Sequence, residues 1–177
     1  MTSEKSTLQG KRLMLRPLCG DDATAMHRAQ DDEELSRLTG TQVQFSLQDV
    51  ERHCRKIEEA QDRVDFAITV SGRTVGEVVL NQIDFQNRCA SLRMAIWQKD
   101  MRDQGFGTEA LELVLEYAFK SIELNRIELE VYAFNPRARH VYEKLGFVAE
   151  GVRREALWWD GVSVDAVCMG LLRRDYA

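Results

Sequence analysis

Arg102-Asp103-Gln104-Gly105-Phe106-Gly107-Thr108 sets two glycines beside an arginine and a hydroxyl side chain. The segment follows an apolar run, residues 90–97, and opens a stretch whose apolar residues recur at Leu111, Val114, Leu115 and Ala118. That recurrence predicts a strand, a loop and a helix in succession. Glycines let the backbone turn tightly and come close to a ligand. The helix start then offers unpaired N–H groups and the positive end of the helix dipole, which suit phosphate oxygens. The loop is therefore a candidate cradle for a phosphorylated ligand. A P-loop needs Gly-Lys-Ser/Thr, which is absent. Gly105-x-Gly107-x-x-Ala110 meets the loose dinucleotide pattern, with Glu128 or Glu130 about 20 residues further on. That pattern normally opens a parallel doubly wound sheet, whereas an antiparallel meander is predicted before it here. A turn that holds no ligand is the third alternative.

The elements around the loop can be read from pattern and punctuation. Residues 12–16 form a short strand ended by Pro17. Asp21 or Asp22 caps a helix to about Gln30, and residues 31–38 form a second short helix. Ser46-x-x-Asp49 starts a helix reaching about Ala60. Strands over 64–70, 74–83 and 89–97 make a meander, with Ser71-Gly72 as its first turn. After the loop come a helix over 108–121, an alternating strand over 127–134, and a helix from Pro136 to a C-cap at Gly146. Strands over 147–154 and 162–171 close the chain as a hairpin about Asp160-Gly161.

A length of 177 residues predicts one domain, with residues 1–7 as a flexible start. No apolar run reaches the length of a membrane span, and the polar beginning lacks a signal-peptide core. Cys19, Cys54, Cys89 and Cys168 are scattered without metal spacing, and are expected to be reduced and mostly buried. These features predict the cytoplasm. His27, His53 and His140 show no paired spacing, so no metal is expected. The net charge of −5 argues against a nucleic-acid partner and mildly favours a cationic one. Trp158 and Trp159 alternate on the last hairpin, one inward and one outward; the outward one is expected in plain core or rim packing, with a subunit contact or the acceptor entrance as the alternatives.

Downstream stands Asn135-Pro136-Arg137-Ala138-Arg139-His140-Val141-Tyr142-Glu143-Lys144-Leu145-Gly146-Phe147. Together with Arg102-x-x-Gly105-x-Gly107, this run resembles the GNAT acetyltransferase superfamily. Arg12-Leu13-x-Leu15-Arg16-Pro17-Leu18, and Gly151-x-x-Arg154 with Trp159-Asp160-Gly161 and Asp165, are similar to the branch of ribosomal-protein N-terminal acetyltransferases and spermidine N-acetyltransferases. The resemblance covers about residues 8–175 and implies an α/β (α+β) fold. Its sheet would be mixed, mostly antiparallel and twisted, of about seven strands with helices on both faces. It implies transfer of an acetyl group from acetyl-CoA to a primary amine by direct attack in a ternary complex. The acceptor would be a protein N-terminus or a small amine such as a polyamine, and the protein a possible homodimer. A catalytically silent acyl-CoA sensor and a dinucleotide-binding protein are the alternatives.

The resemblance also assigns residues. Met94, Ala95 and Ile96 would lie on a splayed strand and bind the pantetheine arm. Gln104, Gly105, Phe106, Gly107 and Thr108 would hold the pyrophosphate, with charge from Arg102. Asn135 would meet the cofactor arm while capping its helix. Tyr142 would be the general acid at the coenzyme sulfur. The amine must lose a proton, because its pKa is about 10.4. Glu33, Glu34, Glu77 and Asp84 are the candidate bases, of which Glu77 and Glu33 are carried forward. Asp103 should point to solvent, and His140 away from Tyr142.

Overall fold

The computed structural model describes residues 5–176. The expected flexible start therefore falls partly outside the described residues. Strands β1 (Leu8–Gln9) and β2 (Met14–Pro17) lead into three helices, α1 (Ala23–Ala29), α2 (Glu33–Thr39) and α3 (Leu47–Glu59). The meander follows as β3 (Val64–Val70), β4 (Arg73–Asp84) and β5 (Cys89–Ile96). Then come α4 (Phe106–Glu116), β6 (Arg126–Tyr132), α5 (Pro136–Lys144), β7 (Val148–Trp159) and β8 (Val162–Leu172). The eight strands form one sheet in the order β1-β2-β3-β4-β5-β6-β8-β7. All neighbours are antiparallel except β5 and β6. The eighth strand, β1, is two residues long, too short to show an alternating pattern.

Local chemistry sets the boundaries. The Ser46 hydroxyl accepts from the Asp49 N–H, and the Asp49 carboxylate accepts from the Ser46 N–H, so α3 begins with the expected reciprocal cap. Asp32 accepts from the Leu35 N–H at the start of α2. Asn135 does the same for Ala138 ahead of Pro136. Asp160 and Gly161 both take positive φ, 48° and 79°, which matches the twist of the β7–β8 hairpin. Lys5 is anchored rather than free, donating to the Ile57 and Glu58 carbonyls at the end of α3.

Alternation along the strands divides the apolar side chains between two cores. Phe66 and Ile68 of β3, Val78 and Leu80 of β4 and Ile127 of β6 pack with Leu111 and Leu115 of α4. On the other face Ala67 and Trp97 meet Val50, Cys54 and Ile57 of α3. Helices cover both faces, as expected.

One departure from a continuous sheet matters most. β5 and β6 pair only from Cys89–Arg126 to Ser91–Glu128. Beyond that point β4 stays on β5 as far as Ile96, and β8 stays on β6 as far as Tyr132. The sheet therefore opens between Leu92–Ile96 and the second half of β6. Backbone groups along that side of β5 have no ladder partner, and apart from the Ile96 carbonyl, which Arg102 takes, they are open to a ligand.

Candidate active site

A cleft of about 1400 Å³ occupies this opening. Its size exceeds the roughly 300–1000 Å³ of an ordinary small-molecule site, so it has room for two substrates at once. Met94, Ala95 and Ile96 line it, as do Gly105, Gly107, Thr108, Asn135, Tyr142 and Glu77. These residues come from β4, β5, the start of α4 and α5. Topology brings them together because the β5-α4-β6 crossover starts where the sheet splits.

The glycine loop is shaped for close approach. Gly105 caps α4 with φ 82°, a left-handed conformation that disfavours a side chain. A Cβ at Gly107 would lie 3.0 Å from Met94 Cε, so the Met94 methyl would have to shift to admit it. The first N–H groups of α4 have no intrahelical acceptor and open on the cleft. This donor set fits a pyrophosphate, and the bare edge of β5 fits the amide-bearing arm of an acyl-coenzyme A.

Several predicted residues play parts other than those expected. Arg102 borders the cleft, but its guanidinium donates to the Ile96 carbonyl at 2.9 Å, the Trp97 carbonyl at 3.2 Å and Asp32 Oδ2 at 2.7 Å. It ties the end of β5 to α2, and its charge is already balanced. Burial tends to raise the Asp32 pKa, but hydrogen bonds from Arg102 and Leu35 and the charges of Arg102 and Lys99 outweigh it and hold it low. Phe106 is buried in the core and does not line the cleft. The Gln104 side chain donates to the Asp100 carbonyl. Phe106 and Gln104 can serve a ligand only through their backbone. Asp103 faces solvent as expected, and there it pairs with the exposed Arg137 of α5. His140, expected to turn away from Tyr142, borders the same cleft.

Arg12 stands in the sequence only as the start of the first strand's motif, with no site role expected of it. Its guanidinium meets Glu109 Oε2 at 3.0 Å and the Gln104 carbonyl at 2.8 Å, and lies over the Phe106 ring. It pins the loop and the first turn of α4 from 92 positions away in the chain.

Two titratable groups stand out. Tyr142 is buried against Phe147, and burial pushes its phenol up to about 12. It stays protonated at neutral pH and keeps a proton to donate. Glu77 lies on β4 opposite Ala95, almost wholly buried. Oε2 has no hydrogen-bond partner, and Oε1 lies 3.9 Å from Arg93 Nη2. Burial raises its pKa, with the charge of Arg93 opposing. When ionised, a carboxyl with a bare oxygen at this place can accept a proton from an incoming amine. The other candidate bases are elsewhere. Glu33 is exposed and outside the cleft, and Asp84 is engaged by Asn87 in a turn. Glu34 reaches the cleft from α2 but is largely exposed.

Among the described residues no group of His, Cys, Asp and Glu is placed to hold a metal. Cys54 alone of the four cysteines is fully buried, and burial pushes its thiol up to about 11. No described helix is long and apolar enough to cross a membrane. Trp158 is exposed and Trp159 partly buried, as their alternation predicts, but neither lines the cleft.

Comparison with known proteins agrees with this geometry. A putative ribosomal N-acetyltransferase of Bacillus subtilis, YdaF, is 31% identical over 64% of this chain and 61% of its own length. Spermidine N(1)-acetyltransferase of Escherichia coli K12 is 25% identical over 92% of this chain and 87% of its own. A crystal structure of spermidine N-acetyltransferase from Vibrio cholerae, in complex with CoA and spermine, superposes with a TM-score of 0.87. It is 26% identical and covers 93% of this chain and 98% of that one. The dinucleotide alternative falls with these matches and with the antiparallel surroundings of β5. Residues 12–148 match the acetyltransferase (GNAT) domain, and the chain belongs to that family of acetyl-CoA-dependent N-acetyltransferases.

Proposed function

We propose that residues 1–177 act as one catalytic domain that acetylates a primary amine in a ternary complex, with Tyr142 as general acid and Glu77 as general base. The observation that carries this reading is the convergence of four features on one cleft. These are the unpaired edge of β5, the N-terminus of α4, a buried phenol and a buried carboxyl with a bare oxygen. Acetyl-CoA supplies the activated acyl group as a thioester. Backbone N–H groups of Gln104 to Thr108 would receive its pyrophosphate. Met94, Ala95 and Ile96 would bind the arm and polarise the thioester carbonyl. Asn135 would flank the arm from the start of α5. Arg102 and Arg12 act one step back, holding β5 and the loop in place. Glu77 takes a proton from the amine, directly or through water, and Tyr142 gives one to the departing sulfur.

No cysteine lines the cleft, which supports direct transfer over an acetyl-enzyme. The acceptor reading extends from an amine in general to a protein N-terminus or a small amine. The branch resemblance carries two further readings, a homodimer and a cytoplasmic location.

Acetyl-CoA should raise the melting temperature, and thiol should be released with at least one amine or N-terminal peptide. Tyr142→Phe should lower kcat about a hundredfold or more and leave acetyl-CoA binding near normal. Stabilisation without turnover on any acceptor would favour the silent sensor. No stabilisation at millimolar acetyl-CoA would sink the reading.

A further inference from the structure

The surroundings of Glu77 indicate what kind of amine enters. Register places Ala67, Glu77 and Ala95 in one row across β3, β4 and β5, and Asp65, Val79 and Arg93 in the next. Cross-strand partners share a face of the sheet. These rows share the face that carries Ala67, which packs against α3. Arg52, His53 and Lys56 of α3 border the same cleft as Glu77 and Arg93.

The nearby acids are already engaged. Asp65 is gripped by Arg63 through two bonds of 2.7 Å. Asp49 is held by Ser46 and by Arg52 at 3.1 Å. Among the described residues Lys56 makes no ion pair, and Arg93 has only the long contact to Glu77. The His53 imidazole sits below its ordinary pKa, first through burial and then through Arg63, with Asp65 opposing and Arg93 and Lys56 adding. The field at this end of the cleft is therefore positive, in a chain whose net charge is −5.

Resting on the amine-acetylation reading, we infer that the acceptor is an amine with an anionic group within a few bonds of its nitrogen, not a polycation. The carboxylate of a free amino acid, or of an acidic residue at the start of a peptide, has this chemistry. Glu77 meets the amino group, while Arg93 and Lys56 meet the anion. Nearby cations also lower the pKa of an approaching amine, which favours the neutral nucleophile. A second ammonium that stays charged gains nothing from this and is repelled.

The test uses 4-aminobutanoate, butylamine and 1,4-diaminobutane, matched in chain length, with protein saturated by coenzyme A. Equilibrium binding should rank them in that order, with about tenfold between the first and the last. Thiol release with acetyl-CoA should follow the same order. Ala-Asp-Ala against Ala-Lys-Ala separates the sources: preference confined to the acidic peptide assigns the anion to a second residue of a chain. Lys56→Glu, at an exposed helix position, and Arg93→Glu should each move the preference toward the diamine, without changing the thermal shift given by acetyl-CoA. Equal or tighter binding of the diamine by the unmodified protein would overturn the inference. If the diamine is also acetylated, the enzyme reading stands. If acetyl-CoA gives no thermal shift, both fall together.

Discussion

Two buried carboxylates with contacts to the same strand show how differently this fold treats its acids. Asp22 is 2% exposed and fully satisfied. Arg16 grips it through bonds of 2.8 and 2.7 Å, the Thr74 hydroxyl of β4 donates to it, and so does the Cys19 N–H. Burial alone would raise its pKa, but these partners outweigh it and hold the carboxyl below its ordinary value. Glu77, three residues further along β4, is 9% exposed and has one bare oxygen. Its pKa moves the other way. Burying an unpaired charge costs free energy, so Asp22 contributes to holding the fold together whereas Glu77 is kept in spite of it. The difference separates an acid that builds the structure from one left open to a substrate.

Removing each acid should have opposite consequences. Asp22→Ala strands Arg16 and Thr74, and should cost about 3 kcal/mol of unfolding free energy, read from urea titration. Turnover per folded molecule should stay near normal. Glu77→Gln should cut kcat about a hundredfold and raise the melting temperature at neutral pH. If it lowers stability instead, the comparison fails.

The pH dependence sharpens the same contrast. The folded pKa of Glu77 lies above its ordinary 4.5, so its ionised form disfavours the folded state. The related stability is fully present below 4.5 and is lost as pH rises through the folded value. Native protein and Glu77→Gln should therefore converge in stability in acid and diverge above it, with the variant ahead. The native kcat/KM should fall in acid along a limb centred above 4.5, and the variant should lack that limb. Asp22 has the opposite sign: its contribution is present above its ordinary 3.8 and disappears as pH falls through the lower folded value. Acid unfolding of the native protein should shift accordingly when Asp22 is replaced. The smallest effect is expected at Arg12, which serves the site through the loop. Arg12→Ala should raise the KM for acetyl-CoA about fivefold, near the value of one net hydrogen bond, with kcat little changed.

Much of this was legible in the chain itself. The strand 64–70 matches β3, because apolar residues between turn signals leave little choice there. The caps at Ser46 and Asn135 and the turn at Asp160-Gly161 are local chemistry and formed as read, whereas Asp22 precedes α1 without a side-chain cap bond because Arg16, Thr74 and Cys19 take its carboxylate. The glycine loop and the Tyr142 run read as a matched pair in the chain, and the fold sets both along one cleft. The role expected of Arg102 was less secure. A guanidinium in a phosphate loop reads as a phosphate ligand, yet its partner Asp32 lies 70 positions away. Nothing local announces such a pairing. Glu33 failed to reach the cleft for a related reason: helix phase against a distant sheet decides which acid faces inward, and α2 turns Glu34 toward it instead.

Most elements, the main turns and the family follow from periodicity and short-range hydrogen bonding along the chain. However, β1 is not legible there, the helix expected over 108–121 turns π-helical after Glu116, and the strand expected to end at 154 runs on to Trp159. Tertiary structure alone decided where β5 parts from β6, that β8 lies between β6 and β7, and that Arg12 clamps the loop. It also decided that Glu77, one acid among many in the chain, loses its water and keeps a bare oxygen. Burial and pairing across the sheet are sums over residues far apart in the chain, and no local pattern encodes them.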